Sequence, residues 1–559
     1  MAQKVINTNV ERDVALQAMQ RLHSCYDKLL QILRTNKELI RQGLFSPESI
    51  EYLSSIETSL LISLCSSNMN ISKVAVALFQ QLHEMSTIAS EICGEEVSSL
   101  KPHFDLCERL SSVSFVVSSR LAIQKAFRKA LSQIREPTQS ITAAMGTAFE
   151  ERDRLSKHLN TAAAGTRKMV GSRSMEAEMI VTEWINYSGF LASLGGSWYP
   201  DFANERGQPR RPESLSKSAI DSLNRLKAFL KDECRYLASE SSLLREKVTR
   251  TLSGDLSPRL FGLLFEQLDE ITSGLFDTKG QPLCKDSNTI FVDQSVGLLK
   301  GLVDRITEPV NIPPYVDFGG ILQSFCEYLE RLGGRDPAKL QIKIKMCSLC
   351  ELVAAKRDVL NLKQEVRLMN NLLGYIHKWS VETDSLSKTD VRVITEEDRA
   401  LQRHSLRAMA NITVNLPLLV TSEPDTDPLE AKSKLFKKYF DYFAIILKKC
   451  RVLDGLDDRR ETINVNTELQ TLLLKSKDAV KDLGPLRQST VTIISNLVNA
   501  NVEAGLRYCL PMAYTEDLRT KTSFLQLFTK MLEQRVDLED LDETLPMDRI
   551  ERIVEVFHP

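Results

Sequence analysis

Two cysteines at a two-residue spacing are the first residues here whose types could do chemistry. Cys347 and Cys350 form the single CxxC pair among eleven cysteines. Such a pair can supply half of a zinc site or a redox dithiol. A zinc site needs two more ligands at matching spacing, and no second CxxC occurs. The pair lies within Leu340-Gln-Ile-Lys-Ile-Lys-Met-Cys-Ser-Leu-Cys-Glu-Leu-Val, which reads as a largely buried helix, so structural thiols are expected. Asp317-Phe318-Gly319 spells the metal-binding triplet of protein kinases, but no His-Arg-Asp loop precedes it and no glycine-rich loop opens the chain. The patterns GxGxxG, GxxxxGK[ST], GxSxG and HExxH are absent. The seven histidines are dispersed, and His377 beside Trp379 reads as packing. No residue is assigned a catalytic, cofactor-binding or metal-ligating role.

Two further patterns suggest binding. In Lys434-Leu-Phe-Lys-Lys-Tyr-Phe-Asp-Tyr-Phe-Ala-Ile-Ile-Leu-Lys-Lys449, lysines alternate with aromatics, as in grooves for single-stranded nucleic acid. However, Phe436, Phe440, Phe443 and Leu447 fall at helical steps, so a core-facing stripe with a basic edge is expected. Leu260-Phe-Gly-Leu263-Leu264 and Leu469-Gln-Thr-Leu472-Leu473 match the LxxLL form of groove-binding helices, a pattern that leucine-rich helices produce constantly. Thr515 to Pro559 carries eleven acids against six bases, which a solvated helix face explains.

These residues must be positioned by helices. The chain has 559 residues, 43% hydrophobic and 26% charged, with 72 Lys+Arg against 74 Asp+Glu. That supports a buried core, argues against wholesale disorder, and gives no support for nucleic-acid or membrane-surface binding. Glycine (23) and proline (19) are scarce for a globular chain. Apolar residues recur at three- and four-residue steps, as in Val14, Ala18, Leu22, Tyr26, Leu29 and Leu33. Proline marks helix starts at Ser46-Pro47, Ser257-Pro258, Asp336-Pro337 and Asp427-Pro428, the last with Glu430 in an Asp-x-x-Glu capping pattern. No Asn-Gly hairpin signal favours a sheet.

The expected fold is therefore all-α, a HEAT- or armadillo-like α-solenoid of helix pairs. The expected blocks are helical arrays at 1–195, 217–307, 321–420 and 421–559, with loops at 196–216 and 308–320. Leu453 to Thr467 also reads as a loop. The first residues lack the apolar stretch of a secretory signal, and no apolar run approaches the roughly 18 to 20 residues that span a bilayer. Eleven is an odd number of cysteines, so reduced thiols and a cytoplasmic location are expected. The sequons at Asn70, Asn186 and Asn411 would then stay unmodified.

A set of segments resembles the neurofibromin family of Ras GTPase-activating proteins. They are Glu183-Trp-Ile-Asn-Tyr-Ser-Gly-Phe-Leu-Ala-Ser-Leu-Gly-Gly196, Leu256-Ser-Pro-Arg-Leu-Phe-Gly-Leu-Leu-Phe265 and Phe276-Asp-Thr-Lys-Gly-Gln281. They continue in order through Gln341 to Cys347, Ala355-Lys-Arg-Asp358, Glu430 to Phe440, and Ser495-Asn-Leu-Val-Asn-Ala-Asn-Val-Glu-Ala-Gly505. Lys521-Thr-Ser-Phe524 and Asp548 to Val556 close the set. The matches span about the last two-thirds of the chain, and the first 150 or so residues match only in character.

The resemblance implies the helical-repeat region that precedes the catalytic GAP domain. It implies a Ras-family GTPase as the partner of that missing downstream domain, whose arginine finger stabilises transition-state charge. No arginine here matches the finger, and the chain reads as a piece ending where the GAP domain would begin. The family also implies a homodimer and tubulin binding at roughly Asp390 to Val480, although the expected basic tract is missing between Leu453 and Pro485. The favoured function is a non-catalytic scaffold of a negative regulator of Ras signalling. The alternative is a free-standing adaptor or cytoskeletal (tubulin-binding) module without GAP activity.

Overall fold

Helix starts and stops follow local chemistry along the whole described chain. The computed structural model describes residues 2–36, 47–93, 101–111, 120–135, 137–165, 172–199, 216–309, 316–332, 336–360, 362, 365–385, 395–420, 428–458, 483–514, 521, 524–525 and 527–529. All four proline-marked positions open helices. Pro47 begins α2 (Pro47–Ser63), Pro258 begins a short 3₁₀ turn (Pro258–Leu260), Pro337 begins α13 (Pro337–Ala355) and Pro428 begins α16 (Pro428–Asp458). At α13 the Asp336 carboxylate accepts from the Ala338 N–H at 3.0 Å. That satisfies a donor left orphaned by the first turn.

The remaining helices are α1 (Ala2–Thr35), α3 (Met69–Cys93), α4 (Lys101–Ser111), α5 (Arg120–Leu131), α6 (Gln139–Gly165), α7 (Ser172–Trp198), α8 (Lys217–Tyr236), α9 (Ser242–Gly254), α10 (Phe261–Ser273), α11 (Asp286–Arg305), α12 (Phe318–Arg331), α14 (Val366–Ser385), α15 (Glu396–Ile412), α17 (Leu483–Ala500) and α18 (Val502–Ala513). Among the described residues the β-pairing is limited to an isolated antiparallel bridge, Phe276 to Pro282.

The chain divides into two compact units. The first comprises Met1–Ile271, Lys285–Leu302 and Val310–Val316, and the second Thr272–Cys284, Val303–Pro309 and Asp317–Pro559. Within the first unit, α1 packs on α3, α5 on α7 and α7 on α9, while neighbours such as α6 and α7 also pair. Within the second, α12 packs on α14, α13 on α15, α15 on α17 and α16 on α18. Contact between a helix and both its next and next-but-one neighbours is what stacked helix pairs produce. The all-α, solenoid-type stacking expected from the periodicity therefore holds within each unit.

Each unit has one central helix. In the first it is α7, where Val181, Trp184, Phe190, Leu191, Ala192 and Leu194 are all buried. In the second it is α13, where nine residues from Leu340 to Ala354, among them Met346, Cys347, Leu349, Cys350 and Val353, are buried. Helices apolar all round belong in the middle of a layer, whereas amphipathic ones such as α8 and α12 cover the flanks.

Several boundaries differ from the sequence reading. Helix α7 runs through Gly195 and Gly196 to Trp198, because the two glycines let other helices approach closely. A Cβ on Gly195 would lie 2.9 Å from the side chains of Leu226 and Leu260, and one on Gly196 would overlap Ser257. Helix α12 starts at Phe318, before the Gly319-Gly320 pair read as loop. Helix α16 continues to Asp458, into the stretch read as polar loop. Asp427 of the Asp-x-x-Glu pattern, Leu469–Leu473 and Asp548 to Val556 lie outside the described residues. A capping box that the sequence reading passed over is present instead at Thr395 and Asp398, which opens α15.

Candidate functional site

The residues flagged for chemistry mostly serve the fold. Asp317 is the N-cap of α12, its carboxylate accepting from the Gly320 N–H at 2.7 Å. A carboxylate spent on a helix start explains the kinase-like triplet. Cys347 and Cys350 are fully buried on α13. Cys347 Sγ lies 3.5 Å from Ser405 Oγ of α15, and burial pushes its thiol up to about 12. Cys326 of α12 completes the thiol cluster through a hydrogen bond with Cys350, and burial chiefly holds its thiol well above the ordinary range. No group of three or more His, Cys, Asp or Glu among the described residues could hold a metal ion. Leu260, Leu263 and Leu264 are buried, so that LxxLL pattern faces the core.

On α16, Phe436, Tyr439, Phe440, Tyr442, Phe443 and Ile446 are buried, a wider stripe than the one expected, with Leu447 at its margin. Phe436 stacks on Tyr508 of α18 with centroids 6.1 Å apart. Lys434, Lys437 and Lys438 lie exposed on the other side. Two of them pair along the helix, Lys434 with Glu430 at 2.9 Å and Lys437 with Asp441 at 2.6 Å. His377 is wedged edge-on against Tyr439 and Tyr442, with centroids 4.7 and 5.0 Å apart. Burial, with a smaller push from Lys438, lowers its pKa to about 4.

The segments that carry the family resemblance hold helices together. On α7, Glu183 accepts from Ser67 Oγ at 2.8 Å, and Trp184 Nε1 donates to Ser156 Oγ at 2.9 Å. Asn186 donates to the Cys65 carbonyl at 3.2 Å. Ser188 donates to the fully buried Glu233 at 2.7 Å. In the second unit, Lys356 Nζ donates to the carbonyls of Val303, Asp304 and Ile306 at 2.9, 2.6 and 2.9 Å, closing the C-terminal end of α11. Arg357 donates to the Val414 carbonyl at 2.9 Å. Asn496 donates to the Ala410 carbonyl at 2.9 Å. Asn501 accepts from the Leu418 N–H at 2.9 Å and donates to the Leu416 carbonyl at 3.2 Å.

The segment Phe276–Gln281 is a tight turn. Asp277 Oδ1 accepts the N–H groups of Lys279 and Gln281 at 2.9 and 2.7 Å, and Gly280 supplies the φ of +70° that the turn requires. Arg331 of α12 binds the Gly280 carbonyl at 2.6 Å.

Three buried polar clusters of the first unit were not singled out in the sequence. Arg152 of α6 donates to Asp232 at 2.6 Å and to Glu233 at 2.8 Å. Its guanidinium lies 5.2 and 5.1 Å from the rings of Trp184 and Phe229. Glu57 of α2 takes bonds from Ser140 Oγ at 2.7 Å and meets His103 Nδ1 at 2.7 Å. A serine, a histidine and an acid are together here, but both contacts converge on the carboxylate. The serine is therefore not backed by the base that nucleophilic catalysis requires.

The third cluster borders open space. Arg128 of α5 donates to Asp255 at 2.7 Å and to Asn186 Oδ1 at 3.1 Å. It lies so close over Gly189 that a Cβ there would overlap the guanidinium. Both partners line a cleft of about 450 Å³ between α5, α7 and α9, with Gln124, Lys125, Glu178, Val181, Ile185, Leu243, Lys247, Arg250 and Thr251 among its walls.

No protein-family model matches the chain. It is similar to the inhibitory regulator protein IRA2 of Saccharomyces cerevisiae, with 21% identity over 378 residues, 65% of this chain and 12% of that protein. It is also similar to the inhibitory regulator protein IRA1 of the same yeast, with 20% identity over 411 residues, 67% of this chain and 13% of that protein. The chain thus spans about an eighth of the length of these curated relatives.

Proposed function

We propose that the chain is a non-catalytic helical scaffold of a neurofibromin-like Ras GTPase-activating protein, positioning a GAP domain and offering helix faces to partners. One observation carries this reading: the collinear segments that resemble the family become interhelical clamps. Glu183, Trp184, Asn186, Lys356, Asn496 and Asn501 each tie one helix to another element. Two relatives whose names describe inhibitory regulators support the same direction. No described helix is long and apolar enough to cross a membrane, which suits a scaffold that works beside a GTPase.

Within this proposal the partner of the whole protein is a Ras-family GTPase, the protein works in the cytoplasm, and the arrays contribute to a homodimer. Tubulin binding is a weaker element. Its lysine-bearing helix α16 spends Lys434 and Lys437 on pairs within its own surface. An adaptor without any GAP activity is the alternative role.

Single-turnover hydrolysis of GTP by Ras, with this chain in excess, tests the non-catalytic assignment. The expected rate is the intrinsic one, and stimulation approaching the roughly 10⁵-fold effect of a GAP would overturn it. The scaffold role is tested in cells through the natural gene. Asn496→Ala with Asn501→Ala should raise GTP-bound Ras, and unchanged Ras despite a destabilised second unit would favour the adaptor.

A further inference from the structure

The second unit buries three thiols where two of its helices meet. Cys326 of α12 and Cys347 and Cys350 of α13 are all 0% exposed. The spacing of Cys347 and Cys350 suits a redox dithiol, but those two lie one turn apart on a single helix, and Cys347 Sγ is 3.5 Å from Ser405 Oγ. The close pair runs between helices instead. Cys326 and Cys350 hydrogen-bond thiol to thiol. Thiols in such contact need only small side-chain rotations to reach the roughly 2.05 Å bond of a disulfide. The two helices are consecutive and pack on one another.

Burial keeps the cluster reduced while the helices are closed. It holds the Cys326 thiol well above the ordinary range and raises that of Cys347 to about 12. A thiol that stays protonated and screened from solvent exchanges slowly. Reaction therefore requires α12 to lift from α13, a local opening of the kind that native proteins undergo continually. We infer that Cys326 and Cys350 form a reversible disulfide, with a low-molecular-weight disulfide as oxidant, that records an opening of α12 from α13 and then locks the two helices together. In the open state one thiolate attacks a sulfur of the oxidant, breaking its S–S bond and releasing one thiol. The second cysteine attacks the mixed disulfide, the Cys326–Cys350 bond forms and a second thiol leaves. The two protons given up by the cysteines end on the two released thiols, and the oxidant is the species reduced. The cross-link closes a loop between consecutive helices and restricts the unfolded chain, which makes the oxidised second unit the more stable. The inference is independent of any role in Ras regulation, because it uses only the contact between α12 and α13.

Oxidised glutathione added to the full chain tests the assignment, in urea well below the unfolding midpoint and in its absence. After free thiols are trapped by alkylation, mass mapping of the digest should find Cys326 joined to Cys350, formed faster in low urea than in none. The urea midpoint of the second unit should rise on oxidation and return with dithiothreitol. Cys326→Ala should abolish both the cross-link and the rise, while Cys347→Ala should leave them. The mapping uses the chain with all three buried thiols in place, so it does not depend on either variant folding. The exposed Cys25 and Cys284 serve as the internal measure of oxidation. Full oxidation of those two in low urea with Cys326 and Cys350 still free would overturn the inference. So would a Cys347–Cys350 bond as the main product, glutathione left on Cys326 or Cys350 without ring closure, or a cross-link that lowers the midpoint.

Discussion

The two central helices, α7 and α13, solve one problem with different chemistry. Both are buried nearly all round and must still bond laterally to their neighbours. Beside the neutral bonds of α7 itself, the helices packed around it carry buried ion pairs. Arg152 meets Asp232 and Glu233, and Arg128 meets Asp255. Around α13 and the helices stacked beyond it the lateral bonds are neutral or bind backbone carbonyls. Cys347 faces Ser405, Lys356 and Arg357 cap carbonyls, and Asn496 and Asn501 span helix ends. A buried ion pair costs much to desolvate and much more to break from one side, whereas an amide pair risks only its own hydrogen bonds. The first unit should therefore be the more sensitive to a single charge deletion, and the second to loss of amides and to protonation of the buried, ring-packed His377.

Arg152→Met is the sharpest way to break this comparison. Glu233 is fully buried, and burial raises its pKa despite the attraction of Arg152. Removing the guanidinium leaves that carboxyl with Ser188 but without its counter-charge, at a cost of about 3 to 5 kcal/mol. Urea unfolding should show this as a lower midpoint of the first unit. Adding Glu233→Leu to the same variant should recover most of the loss, because the stranded charge is gone. A double variant as unstable as the single one would show that packing, not charge, dominates at this site.

The next effect belongs to the second unit. His377 is 5% exposed, and its Nε2 has no hydrogen-bond partner among the described residues. Burial, then Lys438, lowers its pKa to about 4, below the ordinary value of about 6.5. The unfolded chain therefore binds a proton at a higher pH than the folded one does. Stability contributed by the neutral ring is complete above about pH 6.5, is lost as pH falls towards 4, and changes no further below that. The full loss is about 3 kcal/mol. His377→Phe should flatten this part of the stability profile measured by urea unfolding between pH 6.5 and 4.

Asn501→Ala is expected to cost less, about 1 to 3 kcal/mol. It strands the Leu418 N–H and the Leu416 carbonyl at a buried turn. Hydrogen exchange should show faster opening at Leu418 and in α18, with the first unit unaffected.

Much of this fold is legible in the sequence because it depends on local rules. Pro258 and Pro337 open helices for reasons contained in their own residues, and the α16 stripe follows from spacing alone. Gly195 and Gly196 misled because their role depends on Leu226, Leu260 and Ser257, which arrive from later helices. The buried ionic clusters were hidden for the same reason. Arg152 stands between Glu151 and Asp153, and an arginine flanked by acids reads as a solvated face. Only the packing of α8 against α7 shows that Glu233 has no water to turn to. The cleft was hidden as well, because Gln124 and Lys125 of α5 lie far in sequence from Lys247 and Arg250 of α9, and they meet only when both helices flank α7.

Lys437→Ala provides the smallest effect and closes the comparison from the other side. Its ammonium makes a 2.6 Å ion pair with Asp441, as short as the contact of Arg152 with Asp232. By distance alone the two pairs would count equally. Yet the Lys437 side chain is 51% exposed against 2% for Arg152. Water and salt screen the exposed pair, and holding two long side chains together costs conformational entropy. Lys437→Ala should therefore leave the urea midpoint of the second unit unchanged within error at physiological salt. A clear drop would mean that surface pairs stabilise the lysine-rich helix α16, and the contrast between ionic and neutral units would then fail. An unchanged midpoint beside a collapsed Arg152→Met variant would locate the difference in burial, since the charges and the distances match.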